Sequence, residues 1–252
     1  MYRWYACADC IVEIGAGEGE LSKRFAPLVA RYLAIEIDAD RIVPLREALA
    51  QWAHAKIIQG DILEMDLMSL LNDVIRTNLR LRLIGNLPYN VATAIIQKLL
   101  RLPAVVHDMV YMVQLEVAQR IIAPPGSRAY GYLSIDCQHR ADISLAFKVS
   151  PACFVPRPKV MSAVVTFRPR GVDAGSTADS HFDDLVKAAF AHRRKTVANS
   201  LRRNPKFGPL AGKMLEMAEI EERRRPETIT IDEYRRLAQI HFHLSNPSAE
   251  GA

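Results

Sequence analysis

The feature that most restricts the fold is an alternation running through the first two thirds of the chain. Short apolar, β-branched runs take turns with segments whose apolar residues recur at helical spacing. Residues 11–14 read as a buried strand that is cut off by glycines at 15, 17 and 19. A helix is expected over 21–30, a strand over 31–38, a helix over 42–53, and further strands over 56–61 and 81–86. Residues 91–100 are again helical in spacing and stop at Leu102-Pro103; residues 105–113 give a fifth strand. Strands joined by helical crossovers run parallel, because each crossover returns the chain to the same end of the sheet. A doubly wound, mostly parallel α/β sheet is therefore expected. Two later β-rich runs, 143–149 and 160–167, have only the turn-prone SPACFVPRPK between them. They are expected as an antiparallel hairpin at the sheet edge.

Residues 171–180 are small, polar and turn-prone, which reads as a linker. Helical spacing follows over 182–203, 210–220 and 231–244, with Thr230 and Glu233 placed as a capping box for the last helix. The division expected is an α/β domain over residues 1–172 and a small all-helical domain over 173–252, with the tail from residue 245 disordered. A chain of 252 residues, half of them hydrophobic, has enough material for both. Cys7 and Cys10 form a C-x-x-C, but no second pair completes a zinc set and the pair runs into a strand rather than a helix. No apolar run is long enough for a membrane span, and the first residues lack the apolar segment of a signal peptide. These features lead to the expectation of a reduced, cytoplasmic protein that uses no metal.

Four motifs fall at successive strand ends, which in a parallel sheet face one crevice. In Val12-Glu13-Ile14-Gly15-Ala16-Gly17-Glu18-Gly19, glycines permit a tight turn and close approach of a ligand to backbone. This loop alone does not separate a nicotinamide dinucleotide from S-adenosylmethionine. Glu36 ends the second strand, where a carboxylate can accept from two ribose hydroxyls. Asp61, after the third, can accept from a cofactor's adenine amino group while the Ile62 backbone meets the ring; a strand-end Asp is also a common turn or cap residue. The fourth motif is Asn86-Leu87-Pro88-Tyr89. The exocyclic amine of adenine is a poor nucleophile, because its lone pair is delocalised into the ring. A side-chain amide oxygen from Asn86 and the backbone carbonyl of Leu87, both accepting from that NH2, favour a pyramidal nitrogen. Pro88 fixes the turn, and Tyr89 offers a face for an extruded base. Methyl transfer needs neither a covalent intermediate nor a metal, and no Ser-His-Asp or paired-carboxylate cluster competes.

With these motifs in place, the sequence resembles the ribosomal RNA adenine N6,N6-dimethyltransferases, which modify two adjacent adenosines near the 3′ end of small-subunit RNA. The resemblance runs from Ile11 to about Leu244 through VEIGAGEGELS, AIEID, GDIL, GNLPYN, QLEVAQRI, PGSRAYGYLS, FVPRPKVMSAVV, AFAHRRKTVANSL and RPETITIDEYRRLA. It implies a Rossmann-like, S-adenosylmethionine-dependent methyltransferase domain. Cofactor contacts are implied at Gly15, Gly17, Glu36, Ile37, Asp61, Ile62 and Asn86. Phe154 is implied to stack on the target base opposite Tyr89; the residues alone read it as a core aromatic ahead of an edge strand. The family's N-terminal F-G-Q-N-F-L-like segment has no match in the ten residues before Ile11, which implies weakened cofactor affinity.

The partner implied is small-subunit ribosomal RNA in an immature small subunit, bound by a monomer. From Leu185 to Leu215 there are eight Lys or Arg and no acid, and the net charge of the chain is +5. Arg193, Arg194, Lys195, Arg202 and Arg203 are the candidate phosphate contacts. Two other readings stand beside this one: a catalytically impaired factor that docks on ribosomal RNA, and another nucleic-acid adenine-N6 methyltransferase. A nicotinamide oxidoreductase leaves the Asn86–Tyr89 motif unexplained.

Overall fold

The computed structural model describes residues 8–102, 105–172, 176–192 and 194–246. Cys7, Pro103, Arg193 and the tail from residue 247 lie outside the described residues. Seven strands form one sheet: β1 (Asp9–Ile14), β2 (Arg31–Glu36), β3 (Ala55–Gln59), β4 (Arg80–Asn86), β5 (Val106–Gln114), β6 (Ala141–Val149) and β7 (Ser162–Pro169). Their order is β3-β2-β1-β4-β5-β7-β6. The first five are mutually parallel, β7 is antiparallel to β5, and β6 is antiparallel to β7. The expected parallel sheet and the expected hairpin are both present. Every residue of β1 is buried, as a central parallel strand covered on both faces requires.

The helices are α1 (Ser22–Phe25), α2 (Ala39–Leu49), α3 (Leu67–Ile75), α4 (Ala92–Leu99), α5 (Leu115–Ile121), α6 (Tyr132–Arg140), α7 (Thr177–Phe190), α8 (Val197–Arg202), α9 (Ala211–Met217) and α10 (Ile231–Ser245). Several differ from expectation for local reasons. The helix expected over 21–30 stops at Phe25 and tightens to a 3-10 turn, because Pro27 has no N–H to continue the ladder. The helix expected over 182–203 is two helices, since Thr196 N-caps α8 by accepting from the Asn199 N–H. α7 begins inside the expected linker, capped by the Ser176 hydroxyl. The capping box at Thr230 and Glu233 forms as expected.

The chain divides into two compact units. One takes the described residues up to Ala118 together with Ala141–Gly171; the other takes Gln119–Arg140 and the chain from Val172 onward. Residues 119–140 thus join the helical unit, an arrangement the sequence does not signal. Within that unit Leu185, Val197, Leu201, Phe207, Met214, Leu215, Tyr234 and Leu237 form the buried core. Arg140, almost fully buried, grips both carboxylate oxygens of Asp179 at 2.7 and 2.8 Å and also pairs with Asp136, which ties α6 to α7.

The contact that positions the site is between the ends of β1 and β4. Gly85 pairs with Ile14 in the ladder, and a Cβ on Gly85 would lie 2.5 Å from the Ile14 carbonyl oxygen. Only a residue without a side chain lets the backbones pass this closely. Gly15, at φ 70°, then turns the chain beside the Asn86 carbonyl, 3.5 Å from where its own Cβ would sit. A Gly85→Ala variant is expected to lose about 1–3 kcal/mol of stability, the usual cost of forcing a methyl group into a packed interior. Chemical denaturation of the two proteins measures the difference.

Candidate active site

A cleft of about 700 Å3 opens at the carboxyl ends of the parallel strands of the sheet unit. Its wall is drawn from the glycine loop (Gly15, Ala16, Gly17), the β2 end (Glu36, Ile37, Asp38), the turn after β4 (Asn86, Leu87, Pro88, Tyr89) and the β6–β7 loop (Phe154, Val155, Pro156). Residues about 20 to 140 positions apart in sequence are brought to one opening by the parallel order of β2, β1 and β4. β6 ends and β7 begins at this same end, because β7 runs against β5; the loop that carries Phe154 therefore arrives here too.

Glu36 is buried, and its carboxylate organises the backbone around it. Oε2 accepts from the Gly17 N–H at 2.7 Å and Oε1 from the Asp38 N–H at 2.9 Å. The glycine loop and the loop after β2 are thus clamped to one acid. The turn after β4 is held by the Leu87 N–H donating to the Met112 carbonyl at 3.1 Å and by the Tyr89 hydroxyl on the Ser162 hydroxyl at 2.6 Å. Asn86 is exposed at the opening, whereas the Leu87 side chain is buried beneath it. Asp61 and Ile62 are not in the described wall. One Asp61 oxygen accepts from the Leu63 N–H at 2.8 Å, and Ile62 is buried. Their loop is pinned by Lys98 of α4, whose ammonium donates to the Leu63 and Met65 carbonyls at 2.6 and 2.8 Å.

With this geometry in place, comparison with known proteins identifies the lineage. Residues 7–241 match the ribosomal RNA adenine dimethylase family. The chain belongs to that family. A ribosomal RNA small subunit methyltransferase A from Xylella fastidiosa is 42% identical over 194 residues, covering 77% of this chain and 72% of that protein. The protein of the same name from Alkaliphilus metalliredigens is 38% identical over 237 residues, covering 92% and 81%. Among solved structures, a dimethyladenosine transferase from Plasmodium falciparum superposes with a TM-score of 0.79 at 21% identity, covering 92% of this chain and 90% of that one. The Rossmann-like methyltransferase fold follows, and with it the standing of this adenine dimethylase family member as an enzyme.

One residue of the cleft lining escaped the sequence reading. Glu13, next to the carboxyl end of β1, is buried and lines the cleft. Its Oε2 accepts from the Tyr32 hydroxyl at 2.6 Å and from the Ser22 hydroxyl. Burial pushes its carboxyl pKa up, which the two hydroxyl donors partly offset. The signal was present: a carboxylate among the apolar residues of a central strand is costly to bury unless it is hydrogen-bonded or paired. Cys10, two residues before Val12, is buried with its thiol pushed up to about 11, so it offers no reactive thiolate.

The basic run is one-signed in sequence but not in space. Lys187 pairs with Asp183, Arg202 with Glu222 and Lys206 with Asp184, all within the helical unit. Arg194, Lys195 and Arg203 are exposed. Among the described residues no helix is long and apolar enough to cross a membrane.

The clamp at Glu36 has a direct consequence for the glycine loop. Glu36→Ala removes the acceptor for the Gly17 and Asp38 amides, and exchange of those hydrogens with solvent is expected to speed up by about tenfold or more. Hydrogen–deuterium exchange of the peptides spanning residues 15–21 and 36–41 measures it.

Proposed function

We propose that this chain transfers methyl groups from S-adenosylmethionine to the N6 of adenosine in small-subunit ribosomal RNA, twice on each of two adjacent adenosines in a hairpin near the 3′ end. The observation that carries the reading is one cleft holding the glycine loop, Glu36 and the Asn86-Leu87-Pro88-Tyr89 turn, with Phe154 on the same rim. Bound S-adenosylmethionine supplies a methyl group on a sulfonium, so the leaving group is already neutral once displaced. The protein's part is to bind, orient and exclude water. The glycine loop admits the cofactor close to backbone, and Glu36 accepts from the ribose hydroxyls while still holding the Gly17 amide. Asp61 and the Ile62 backbone receive the cofactor's adenine edge, on the loop that Lys98 holds. Ile37, exposed beside Glu36, covers the ring.

On the substrate side, the Asn86 side-chain oxygen and the Leu87 carbonyl accept from the target NH2 and keep the nitrogen lone pair out of ring conjugation. That lone pair would be free to take the methyl group from the sulfonium, whose thioether would leave neutral, and the proton lost from the nitrogen would pass to solvent water. Tyr89 and Phe154 flank the extruded base. The first methyl leaves one N–H, so in a second round only one of the two acceptors is engaged, and the methyl group takes the place of the other hydrogen. The protein acts in the cytoplasm as a monomer on an immature small subunit.

Asn86→Ala is expected to lower methyl transfer by about 10²–10³-fold, the range for losing one oriented hydrogen-bonding group at a reacting centre. RNA affinity should stay within about threefold, because phosphate contacts dominate it. Transfer of labelled methyl to immature small subunits, with RNA binding measured alongside, tests this; near-normal turnover in the variant overturns the role of the turn.

The helical unit supplies the phosphate contacts through Arg193, Arg194, Lys195, Arg202 and Arg203. The exposed ion pair of Arg202 with Glu222 is cheap to exchange for a phosphate. Replacing Arg193, Arg194 and Lys195 with Ala is expected to reduce the salt dependence of RNA binding by about 0.7–0.9 in log–log slope for each phosphate no longer neutralised. Cofactor affinity is expected to stay the same. Binding titrations across a salt series measure the slope, and an unchanged slope returns this stretch to an ordinary solvated surface.

A further inference from the structure

The Tyr89 hydroxyl is hydrogen-bonded to an unusual partner. Ser162 is fully buried, and its Oγ lies 2.6 Å from the Tyr89 oxygen. Ser162 is the first residue of β7, laddered on both sides: it pairs with Gln114 of β5 and with Val149 of β6. Next to it, the Leu115 N–H donates to the Met161 carbonyl at 2.9 Å. A hydroxyl on a strand held from both edges is a fixed point. By contrast, the turn that carries Tyr89 lies between β4 and α4, and its own backbone is tied down by the Leu87 N–H on Met112 and the Val91 N–H on Pro88.

The same serine also sets the other wall. Phe154 sits on the loop between Val149 and Ser162, and those two residues are direct neighbours in the ladder. Ser162 is thus the residue at which the Phe154 loop closes and the residue on which the Tyr89 ring is hung. A phenol ring without its hydroxyl bond keeps its stacking face but gains freedom to rotate and tilt. A slot for a flat base depends on the two faces keeping their spacing, and misplacement of a reacting group by about 1 Å can cost up to about 10²-fold in rate.

We propose that Ser162 is a positioning residue for methyl transfer: it locks the ring of Tyr89 relative to the Phe154 loop and so sets the slot that receives the target adenine. The proposal rests on the reading that Tyr89 stacks on that base. Ser162 is not part of the described cleft wall and acts through Tyr89 rather than by touching the substrate.

The test is a double-mutant cycle on the full chain with Ser162→Ala and Tyr89→Phe, which remove the two ends of the same bond and little volume. Each single variant is expected to lower kcat by about tenfold, with S-adenosylmethionine affinity within about twofold of the parent. The double variant should be no worse than the weaker single, because the bond is removed only once. A second readout uses a hairpin RNA with 2-aminopurine at the target position, whose fluorescence lifetime shortens on stacking against an aromatic ring. The parent should show a single short-lifetime population, and both single variants a mixture. Multiplicative losses in the double variant, or a Ser162→Ala protein with lowered melting temperature but parental kcat and lifetimes, overturn the lock. Tyr89→Ala separates the two levels. If it abolishes the short lifetime while Ser162→Ala leaves everything parental, only the lock is wrong; if Tyr89→Ala itself behaves as the parent, the stacking reading beneath it is wrong.

Discussion

Passage of the β4 backbone against the end of β1 at van der Waals limits is the constraint on which the cleft depends. Gly85 has no room for a side chain beside the Ile14 carbonyl. Because the strands are parallel and adjacent, their ends advance together, and the turn after β4 comes to lie against the turn after β1. Were β4 displaced outward by the width of a methyl group, the Asn86 carbonyl would no longer flank Gly15, and the two turns would belong to separate surfaces. The glycine loop and the Asn86–Tyr89 turn are thus neighbours by backbone geometry, before any side chain contributes.

Side chains then stiffen what the backbone brings together, and they do so by pairing. Glu36 joins two loops through two amides, Glu13 joins β1 to β2 and to α1 through two hydroxyls, and Lys98 joins α4 to the loop after β3 through two carbonyls. In each case a charged or ionisable group in a partly dry setting satisfies two partners at once. Such a group is costly to bury alone and stabilising when fully satisfied. Glu13 and Glu36 thus line the cleft and at the same time fix the backbone around it, while Lys98 steadies the loop after β3 outside the described wall.

Much of this was legible in the sequence, and the reasons are physical. Buried parallel strands are rich in apolar and β-branched residues and end at turn residues, so β1, β2, β4 and β5 declare themselves despite the charges they carry. Glycine and proline mark the places where the chain must turn, which exposes the loop at Gly15 and the turn at Pro88. What escaped depends on tertiary context. α3 follows an Asp66 cap that accepts from the Met68 and Ser69 amides, a device visible only once a helix is assumed. The end of α5 and all of α6 interrupt the sheet's chain path and join the helical unit, a matter of packing that no local pattern encodes. The acids that pair with Lys187, Arg202 and Lys206 lie on either side of the basic stretch in sequence, so counting charges within it overstates the free positive surface. Asp61 read as a cofactor ligand and as a turn residue; one of its oxygens serves the turn.

The reversal of strand direction at β7 has a consequence for how such a scaffold diversifies. In a wholly parallel sheet, every segment reaching the carboxyl end must also lead into a crossover that returns the chain to the other end. The β6–β7 hairpin is exempt from this: both its legs are anchored in the ladder, and the span between Val149 and Ser162 returns to its starting point. Its ends are held side by side by the ladder whatever the length between them. The turn after β4 has no such latitude, because α4 follows it at once. The Tyr89 turn is therefore bounded by a strand and a helix, whereas the Phe154 loop is bounded by two strands of one hairpin and can be lengthened or shortened between them.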